Sequence, residues 1–565
     1  MNLRAFRLPD RIGRWDHLIG AALGGCYVAS LLATAGGIGF MRDESTYFAA
    51  ANAYVRWWLL LFERGSDALR QGVIDASWGY NHEHPALMKT LFGVSWWLLH
   101  ERWHVFRFAS DAYRFPAMCM AGIALYVTYL FGAQAWGRAA GLVAAVLLAL
   151  MPRVFFHAHL ACFDVPIMTM WLVCVYAHWR SEETGRLGWA IATGIAFGLA
   201  LETKHNAWLL PAVIVPHALF AQRRSLLRGL RVGRVSLPAS LVSMAVLGPI
   251  VFLALWPYLW NDTLARIEWW FDFHLHHTYY SIEFLGRNYR GPQSPKSYLP
   301  VMVVATVPTI TILLFVVGTA DRAGAAWRRL RGWAVLRSGD TAGPHEPSPR
   351  GETDLLVALA LVVPMVPFFM AKTPIFGATK HWLPAYPFLA LLCGRGFVLA
   401  SSAIQRALRS SGVDRSRLVI DVGLFATVAL GPLAITAHAT PFGLSTYVPV
   451  VGGTAGGATL GLNRQFWGYT SQNAATEYLN SRAPRNATVF IHDTTFDAWL
   501  EMQREERVRA DLRPVGAPHD SRFALVEHEL HMNELDYAIW VVFGTDAPTY
   551  VVTHDGVPIV SIYRR

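Results

Sequence analysis

Several long apolar stretches limit what this chain can fold into more than any other feature of its sequence. Many of them reach about 18 residues, the length that a helix needs to cross the hydrocarbon core of a membrane. The 565 residues are 54% hydrophobic and only 16% charged, against about 25% charged residues in an ordinary soluble domain. The sequence therefore predicts a polytopic α-helical membrane protein. We expect about eleven transmembrane helices, at roughly residues 17–40, 112–132, 139–157, 163–179, 187–201, 206–221, 236–258, 298–318, 354–371, 382–400 and 418–438.

Arginine clusters predict the orientation of the chain. Short loops that stay in the cytoplasm are enriched in Lys and Arg, and the N-terminal segment carries Arg4, Arg7, Arg11 and Arg14. With that segment in the cytoplasm, the further arginine clusters fall in alternate loops, as a membrane-crossing chain requires. These loops account for the net charge of +10, so no nucleic-acid partner is predicted. Short basic loops favour a bacterial inner membrane, with residues 439–565 on its outer face.

Two regions outside the predicted spans have patterns of their own. The first outer loop, residues 41–111, contains two aromatic amphipathic runs at 47–62 and 87–103, which suit helices lying in the membrane interface. The C-terminal region, residues 439–565, alternates a predicted helix at 474–480 with predicted strands at 488–492, 537–543 and 549–553. Such mixing is typical of a small α/β domain. We therefore divide the chain into a transmembrane domain, 1–438, and an extracytoplasmic C-terminal α/β domain, 439–565. Residues 338–353 are predicted to form a cytoplasmic linker.

Ionisable side chains gather on the predicted outer face. They cost least at a membrane boundary when they face a water-filled cavity lined by protein, and carboxylates beside cations are what group transfer requires. Taken singly, some of them also fit purely structural roles: Arg114 and Lys204 could reach lipid headgroups, and Asp164 could favour a helix N-terminus. The outer-face set is Asp43, Glu44, His82, Glu83, His84, Lys89, Arg114, His157, His159, Asp164, Glu202, Lys204, His205, Lys372, Lys380 and His381.

Five motifs in this set, in order over residues 15–220, resemble the GT-C superfamily of membrane glycosyltransferases. The resemblance is closest to its protein O-mannosyltransferase and aminoarabinose-transferase branch. Two positions depart from the pattern: Ala86 replaces a second proline, and His159 stands where the family often has arginine. The matching motifs are Asp43-Glu44, His84-Pro85-Ala86-Leu87-Met88-Lys89, Arg114-Phe115-Pro116, Leu160 to Pro166 and Thr203-Lys204-His205, with Lys380-His381-Trp382-Leu383-Pro384 as a weaker sixth.

The resemblance implies a GT-C fold and an inverting glycosyltransferase. Such an enzyme moves a hexosyl or pentosyl group from a polyprenyl-phosphate carrier, dolichyl or undecaprenyl, to a glycan, lipid or protein acceptor. Asp43 would then be the general base, and Asp164 would orient a substrate. Some members hold a divalent metal near the first-loop carboxylates, which makes His82, Glu83 and His84 candidate ligands. The candidate substrate-binding residues are Glu44, His84, Lys89, Arg114, His159, Lys204, Lys380 and His381.

Other functions fit parts of this pattern. A lipid-linked glycan transporter or flippase would also be polytopic, but transporter sites lie near the membrane midplane between repeats, whereas these ionisable groups lie at one face. A glycan polymerase or ligase would share the lipid-phosphate chemistry without the Asp43-Glu44 pair. A non-catalytic scaffold would not need so many charged groups at the membrane boundary.

Overall fold

The structure is a computed structural model, and it describes most of the chain. The described residues are 12–223, 237–290, 294–337, 350–370, 372–375, 377–413, 415–466, 473–529 and 532–565. The first three N-terminal arginines, the basic segment 224–236 and most of the predicted linker lie outside this set.

The described chain is mainly helical. In order, the helices up to residue 439 are α1 (Arg14–Thr34), α2 (Glu44–Arg64), α3 (Gln71–Trp78), α4 (Leu87–Trp96), α5 (Ala109–Trp136), α6 (Arg138–Ala149), α7 (Pro152–Ala158), α8 (Asp164–Thr184), α9 (Leu187–Leu201), α10 (Leu210–Ala221), α11 (Ala239–Leu255), α12 (Thr263–Leu275), α13 (Tyr298–Thr306), α14 (Thr309–Arg337), α15 (Arg350–Val362), α16 (Tyr386–Ser410) and α17 (Arg417–Ala439). A short hairpin, β1 (Ile282–Phe284) and β2 (Arg287–Tyr289), lies between α12 and α13.

Five helical segments in the described residues are long and apolar enough to cross a membrane. They are Arg14–Gly37, Ala109–Trp136, Thr309–Arg329, Leu383–Ser410 and Arg417–Ala439. A sixth candidate consists of α6 and α7, which are bent by 70° at a short break, so the predicted span 139–157 is not a straight helix. The helices α9 and α11 are apolar but shorter. The structure supports an integral membrane protein, whereas the count of eleven spans stays a prediction.

Small residues let the apolar helices approach closely. A Cβ atom added to Gly24 of α1 would lie 2.6 Å from the carbonyl oxygen of Gly122 in α5, so the two backbones touch there. Gly396 of α16 likewise meets the backbone of α14 at Leu314. Close backbone contact through small residues is a common way for helices to associate in membranes, where hydrophobic burial offers little drive.

The first outer loop is helical in both aromatic runs, as the sequence predicts. Helix α2 covers the first run, and α4 followed by a π-helical turn at Trp97–Arg102 covers the second. Their buried aromatic residues, including Trp57 and Trp78, form a cluster with Trp256 and Trp270 from the neighbourhood of α11 and α12. The first outer loop therefore packs on the end of α11 and on α12.

The C-terminal region contains a five-stranded mixed sheet. Its order is β4-β3-β5-β7-β6, in which β3 pairs in parallel with β4 and β5 while β7 runs antiparallel to β5 and β6. The elements are α18 (Gly453–Thr459), α19 (Asn473–Arg482), β3 (Thr488–Phe490), α20 (Phe496–Arg504), β4 (Arg513–Val515), β5 (Phe523–Glu527), α21 (Asn533–Phe543), β6 (Tyr550–His554) and β7 (Val557–Arg564). The predicted strand at 537–543 is wrong, because those residues belong to α21.

Candidate active site

A buried ion pair joins two of the predicted site residues. The Nζ atom of Lys204 lies 2.6 Å from Oδ1 of Asp164, and both side chains are at most one-tenth exposed. Asp164 is the first residue of α8, and Lys204 follows the end of α9. The hairpin formed by these two helices therefore returns its polar ends to one place, and neither group lies at a lipid headgroup.

Lys380 lies within electrostatic range of both Asp164 and Asp43. Burial lowers the pKa of Lys380, and the carboxylates of Asp164 and Asp43 act in the opposite direction, which leaves the pKa at about 8. A short turn at Ala378–His381 carries the lysine, and Gly377 precedes it with φ of 69°. The positive φ favours glycine at this position, and a side chain there would have to displace the end of Lys380, whose Cε would lie 2.7 Å from the added Cβ atom.

Asp43 lies where the first outer loop begins, immediately before α2. Its side chain is 30% exposed, and Arg42 beside it reaches Oδ1 at 4.0 Å. Asp43, Asp164, Lys204 and Lys380 thus form one cluster of two carboxylates and two ammonium groups; we call it the acid–base cluster. Its members come from four separate segments of the chain.

Glu44 and Arg114 bind each other instead of facing this cluster. Both side chains are fully buried, and Nε and Nη2 of Arg114 lie 2.8 and 2.7 Å from the two carboxylate oxygens of Glu44. Glu44 also accepts hydrogen bonds from the backbone N–H groups of Met41 and Ala161, at 3.0 Å each. Arg114 donates to the carbonyl oxygens of Ile38 and Gly39. These bonds engage both groups within the protein and fix the start of the first outer loop, and their roles in binding substrate stay predictions.

Lys89 also has protein partners. Its ammonium donates to the carbonyl oxygens of Asn81 and His84, at 2.5 and 2.8 Å, and lies 4.9 Å from the ring centre of Tyr54. The side chain is fully buried, and burial lowers its pKa to about 7. Lys89 therefore closes the 81–84 turn, and its role in binding substrate stays a prediction.

The remaining histidines differ in position. His159 is buried, with Nε2 2.8 Å from Oγ1 of Thr34 and Nδ1 2.9 Å from the carbonyl oxygen of Phe155. It joins α1 to the end of α7, and both ring nitrogens are engaged within the protein, so its role in binding substrate stays a prediction. His381 adjoins Lys380 and is buried. The ring of His84 packs against those of Tyr47 and Phe163, near the cluster.

The three candidate metal ligands do not converge. Nδ1 of His82 lies 2.5 Å from the carbonyl oxygen of Gly79, and Oε1 of Glu83 accepts from Asn81 at 2.6 Å. Among the described residues, two sets of three potential ligands come together, and neither contains His82, Glu83 or His84. Metal binding by these three residues stays a prediction.

Two buried residues near the cluster, His157 of the predicted outer-face set and Arg153, are not among the candidate catalytic or substrate-binding residues. His157 lies within electrostatic range of Asp164 and Lys380. Arg153, one turn earlier, is 1% exposed, with its guanidinium over the rings of Tyr447 and Phe466 at 5.4 and 5.1 Å. The sequence does indicate Arg153, because an arginine inside a predicted membrane span costs free energy unless its side chain faces the protein interior.

The C-terminal region lies against the start of the first outer loop. Arg42, next to Asp43, binds Asp493 at 3.0 Å. Glu505 accepts from the backbone N–H and hydroxyl of Ser110 at 2.8 and 3.0 Å, and Arg507 donates to the carbonyl oxygen of Ile38 at 3.0 Å. The loop that carries Asp43 is thus held from the C-terminal side as well.

Part of the sequence matches known glycosyltransferases. Residues 93–253 match the family model described as dolichyl-phosphate-mannose-protein mannosyltransferase. Over 117 residues, 20% of this chain, the sequence is 32% identical to an Arabidopsis thaliana dolichyl-diphosphooligosaccharide–protein glycosyltransferase subunit, STT3B. The match spans 15% of that relative.

Solved structures resemble nearly the whole chain. The Archaeoglobus fulgidus oligosaccharyltransferase AglB, in complex with an inhibitory peptide and a dolichol-phosphate, gives a TM-score of 0.50 at 11% identity, over 94% of this chain and 71% of that chain. ArnT from Cupriavidus metallidurans gives a TM-score of 0.48 at 12% identity, over 96% and 97% of the two chains. At these identities, the likeness to AglB concerns the fold alone.

Proposed function

We propose that this chain is an inverting glycosyltransferase of the GT-C superfamily. It transfers a sugar from a polyprenyl-phosphate carrier to an acceptor at the outer face of the membrane. The acid–base cluster carries this proposal, because it brings a partly exposed carboxylate together with two cations at the ends of apolar helices. A scaffold protein would have no need of such a cluster.

The two lysines suit a phosphate that leaves with the lipid. The matching family model is described as a dolichyl-phosphate-mannose-protein mannosyltransferase, and the AglB structure is a complex with a dolichol-phosphate. Lys380 and Lys204 would contact the phosphate oxygens of the donor. The charge of Lys204 is partly balanced by Asp164, 2.6 Å away. Lys380, with a pKa of about 8, is protonated in most molecules at neutral pH and supplies the second positive charge.

The reaction is a single displacement with balanced charges. The carboxylate of Asp43 removes the proton from an acceptor hydroxyl as the hydroxyl oxygen attacks the anomeric carbon. The bond from that carbon to the phosphate oxygen breaks, and its electron pair stays on the phosphate, which remains attached to the lipid. Lys380 and Lys204 stabilise the developing negative charge. Attack from the side opposite the phosphate inverts the configuration of the sugar.

The side chain of Asp43 suits the role of the base better than that of Asp164. Asp43 is 30% exposed, whereas Asp164 is 3% exposed and paired with Lys204. A base must lie within hydrogen-bond reach of the proton it removes, which requires access to the acceptor. Asp164 would then position Lys204 and, through it, the donor phosphate.

A donor panel tests the proposal. The full chain is reconstituted in liposomes with radiolabelled sugars on undecaprenyl and dolichyl phosphate, and candidate glycan, lipid and peptide acceptors are added one at a time. We expect the label to leave the lipid only with the correct acceptor, and the product to have the opposite anomeric configuration. Label moving intact with its lipid from one leaflet to the other, without a product, would instead identify a flippase.

We also propose that residues 439–565 lie outside a bacterial inner membrane. The arginine clusters support this orientation, and it places the acid–base cluster at the outer rim. Ser481 is exposed on α19. In intact cells we expect S481C to react with a membrane-impermeant maleimide, above the background of the parent protein. Labelling only after cell lysis would reverse the orientation.

A further inference from the structure

A second group of metal-binding side chains lies away from the acid–base cluster. His438 is in the last turn of α17, and His554 and Asp555 are at the end of β6. One potential ligand atom from each residue lies within 4.8 Å of the other two. The sequence separates His438 from the other pair by more than a hundred positions, so the fold alone brings the three together.

The three side chains are already in contact. Nε2 of His438 lies 2.7 Å from Oδ1 of Asp555, and Nε2 of His554 lies 3.9 Å from Oδ2 of the same carboxylate. The centres of the two imidazole rings are 5.0 Å apart. The ligand atoms of a tetrahedral zinc site lie about 3.3 Å apart, given metal–ligand bonds of about 2.0–2.2 Å. The two nitrogen–oxygen separations, 2.7 and 3.9 Å, lie on either side of that value. Small side-chain rotations would therefore bring these atoms to the separation that zinc requires.

The surroundings hold two of the ligands in place. Asp555 has φ of 50° and is followed by Gly556 with φ of 74°, and these two residues form the turn between β6 and β7. Asp-Gly in this conformation is a preferred tight hairpin turn. His554 is 7% exposed, packs on Phe442 and has Nε2 3.0 Å from Oγ1 of Thr446. A metal bound through Nε2 would replace this last contact.

We propose that His438, His554 and Asp555 bind a divalent transition metal of the zinc class. Two imidazoles and one carboxylate are a donor set that suits zinc. His438 is 60% exposed and Asp555 is 32% exposed, so the site opens to solvent and a water molecule can complete the coordination. The metal would fasten the β6–β7 hairpin to the end of α17. It would be a structural link, separate from the acid–base cluster.

Metal binding to the purified full chain tests this inference. After treatment with a chelator, zinc chloride is added in a calorimeter, and cobalt chloride is added in a parallel visible-absorption titration. We expect one zinc ion per chain with a micromolar or tighter Kd, and cobalt absorption bands typical of tetrahedral nitrogen and oxygen ligands. H438A and D555N should each weaken binding at least tenfold and remove the cobalt bands.

The control variant is H519A. His519 is another exposed histidine of the C-terminal region, with Asp520 at 3.5 Å, and its removal should leave binding unchanged. Because His438 is on the surface, H438A should fold, and its midpoint of thermal unfolding should no longer rise with zinc as that of the parent does. Equal zinc affinity in the parent, H438A and D555N, or no binding by the parent, would overturn the inference. In that case His438 and Asp555 would form an ordinary ion pair.

Discussion

Asp43 is the residue on which the proposed chemistry depends most directly. D43N keeps the shape of the side chain but cannot accept the acceptor's proton. We expect transfer to fall by about 10²–10⁴-fold, the usual contribution of a general base, with little change in donor affinity or in the midpoint of thermal unfolding. The measurement is release of labelled sugar from the carrier by reconstituted protein.

D67N provides the matched control. Asp67 lies in the same outer loop, and its side chain is 56% exposed, so this variant should retain full activity. Turnover by D43N at the rate of D67N would remove Asp43 from the mechanism.

Glu44 and Arg114 make a different prediction, because each is fully buried against the other. R114M leaves the carboxylate of Glu44 buried without its partner, which costs about 3–5 kcal/mol. We expect a much lower midpoint of thermal unfolding for R114M, and partial recovery when E44Q is added to it. R107M is the control, since Arg107 is 78% exposed. A stable R114M with weakened donor binding alone would favour the predicted substrate-binding role of Arg114.

The sequence could identify the site's residue types but not their pairing. Asp43, Asp164 and Lys204 stand in motifs whose order is visible in the chain, and the structure brings them together with Lys380. Nothing local indicates that Glu44 binds Arg114, seventy positions away, while Asp43 beside it does not. Adjacent residues at a helix start point in different directions, and only the packing decides which of them is buried.

Among the elements, α21 shows where local preference misleads. Residues 537–543 are aromatic and β-branched, which favours a strand. The signals that define the helix lie at its ends: Glu534 and Asp536 are in the first turn, and Gly544 follows the last residue with φ of 68°. Ile539 and Phe543, four residues apart, pack on the sheet. This four-residue spacing fits one face of a helix and not the alternation of a strand.

The central strand β5 makes a testable prediction about pH. Glu527, at its end, is fully buried, and burial together with the nearby carboxylates of Asp493 and Glu529 raises its pKa well above the usual value. A raised folded-state pKa gives stability that is full below the unfolded pKa and is lost as the pH rises through the folded pKa. Each pH unit between those two values is worth about 1.4 kcal/mol.

We therefore expect E527Q to raise the midpoint of thermal unfolding at pH 8 and to leave it nearly unchanged at pH 5. The measurements are made with a chelator present, so that bound cations do not contribute. E477Q is the control, because Glu477 is exposed on α19. An equal shift at both pH values would mean that Glu527 is ionised throughout.

For the whole molecule, the question is whether the C-terminal region acts on the chemistry. Its contacts reach both ends of the first outer loop: Arg42 beside Asp43 binds Asp493, and Ser110 binds Glu505. The side chain of Glu505 is 4% exposed and also binds Arg507 at 3.0 Å, while Arg507 holds Ile38. The region is thus fastened to the backbone on either side of the predicted base.

A variant of Glu505 tests whether the C-terminal region positions Asp43 or is merely attached to the rest of the chain. E505A removes the acceptor of two hydrogen bonds from Ser110 and leaves Arg507 without its carboxylate. If these contacts hold the loop that carries Asp43, we expect kcat to fall at least tenfold while donor binding is kept, because a small displacement of a catalytic group is expensive. E506A is the adjacent control, since the side chain of Glu506 is 83% exposed. Full turnover by E505A would show that the contacts of Glu505 can be lost without disturbing the base.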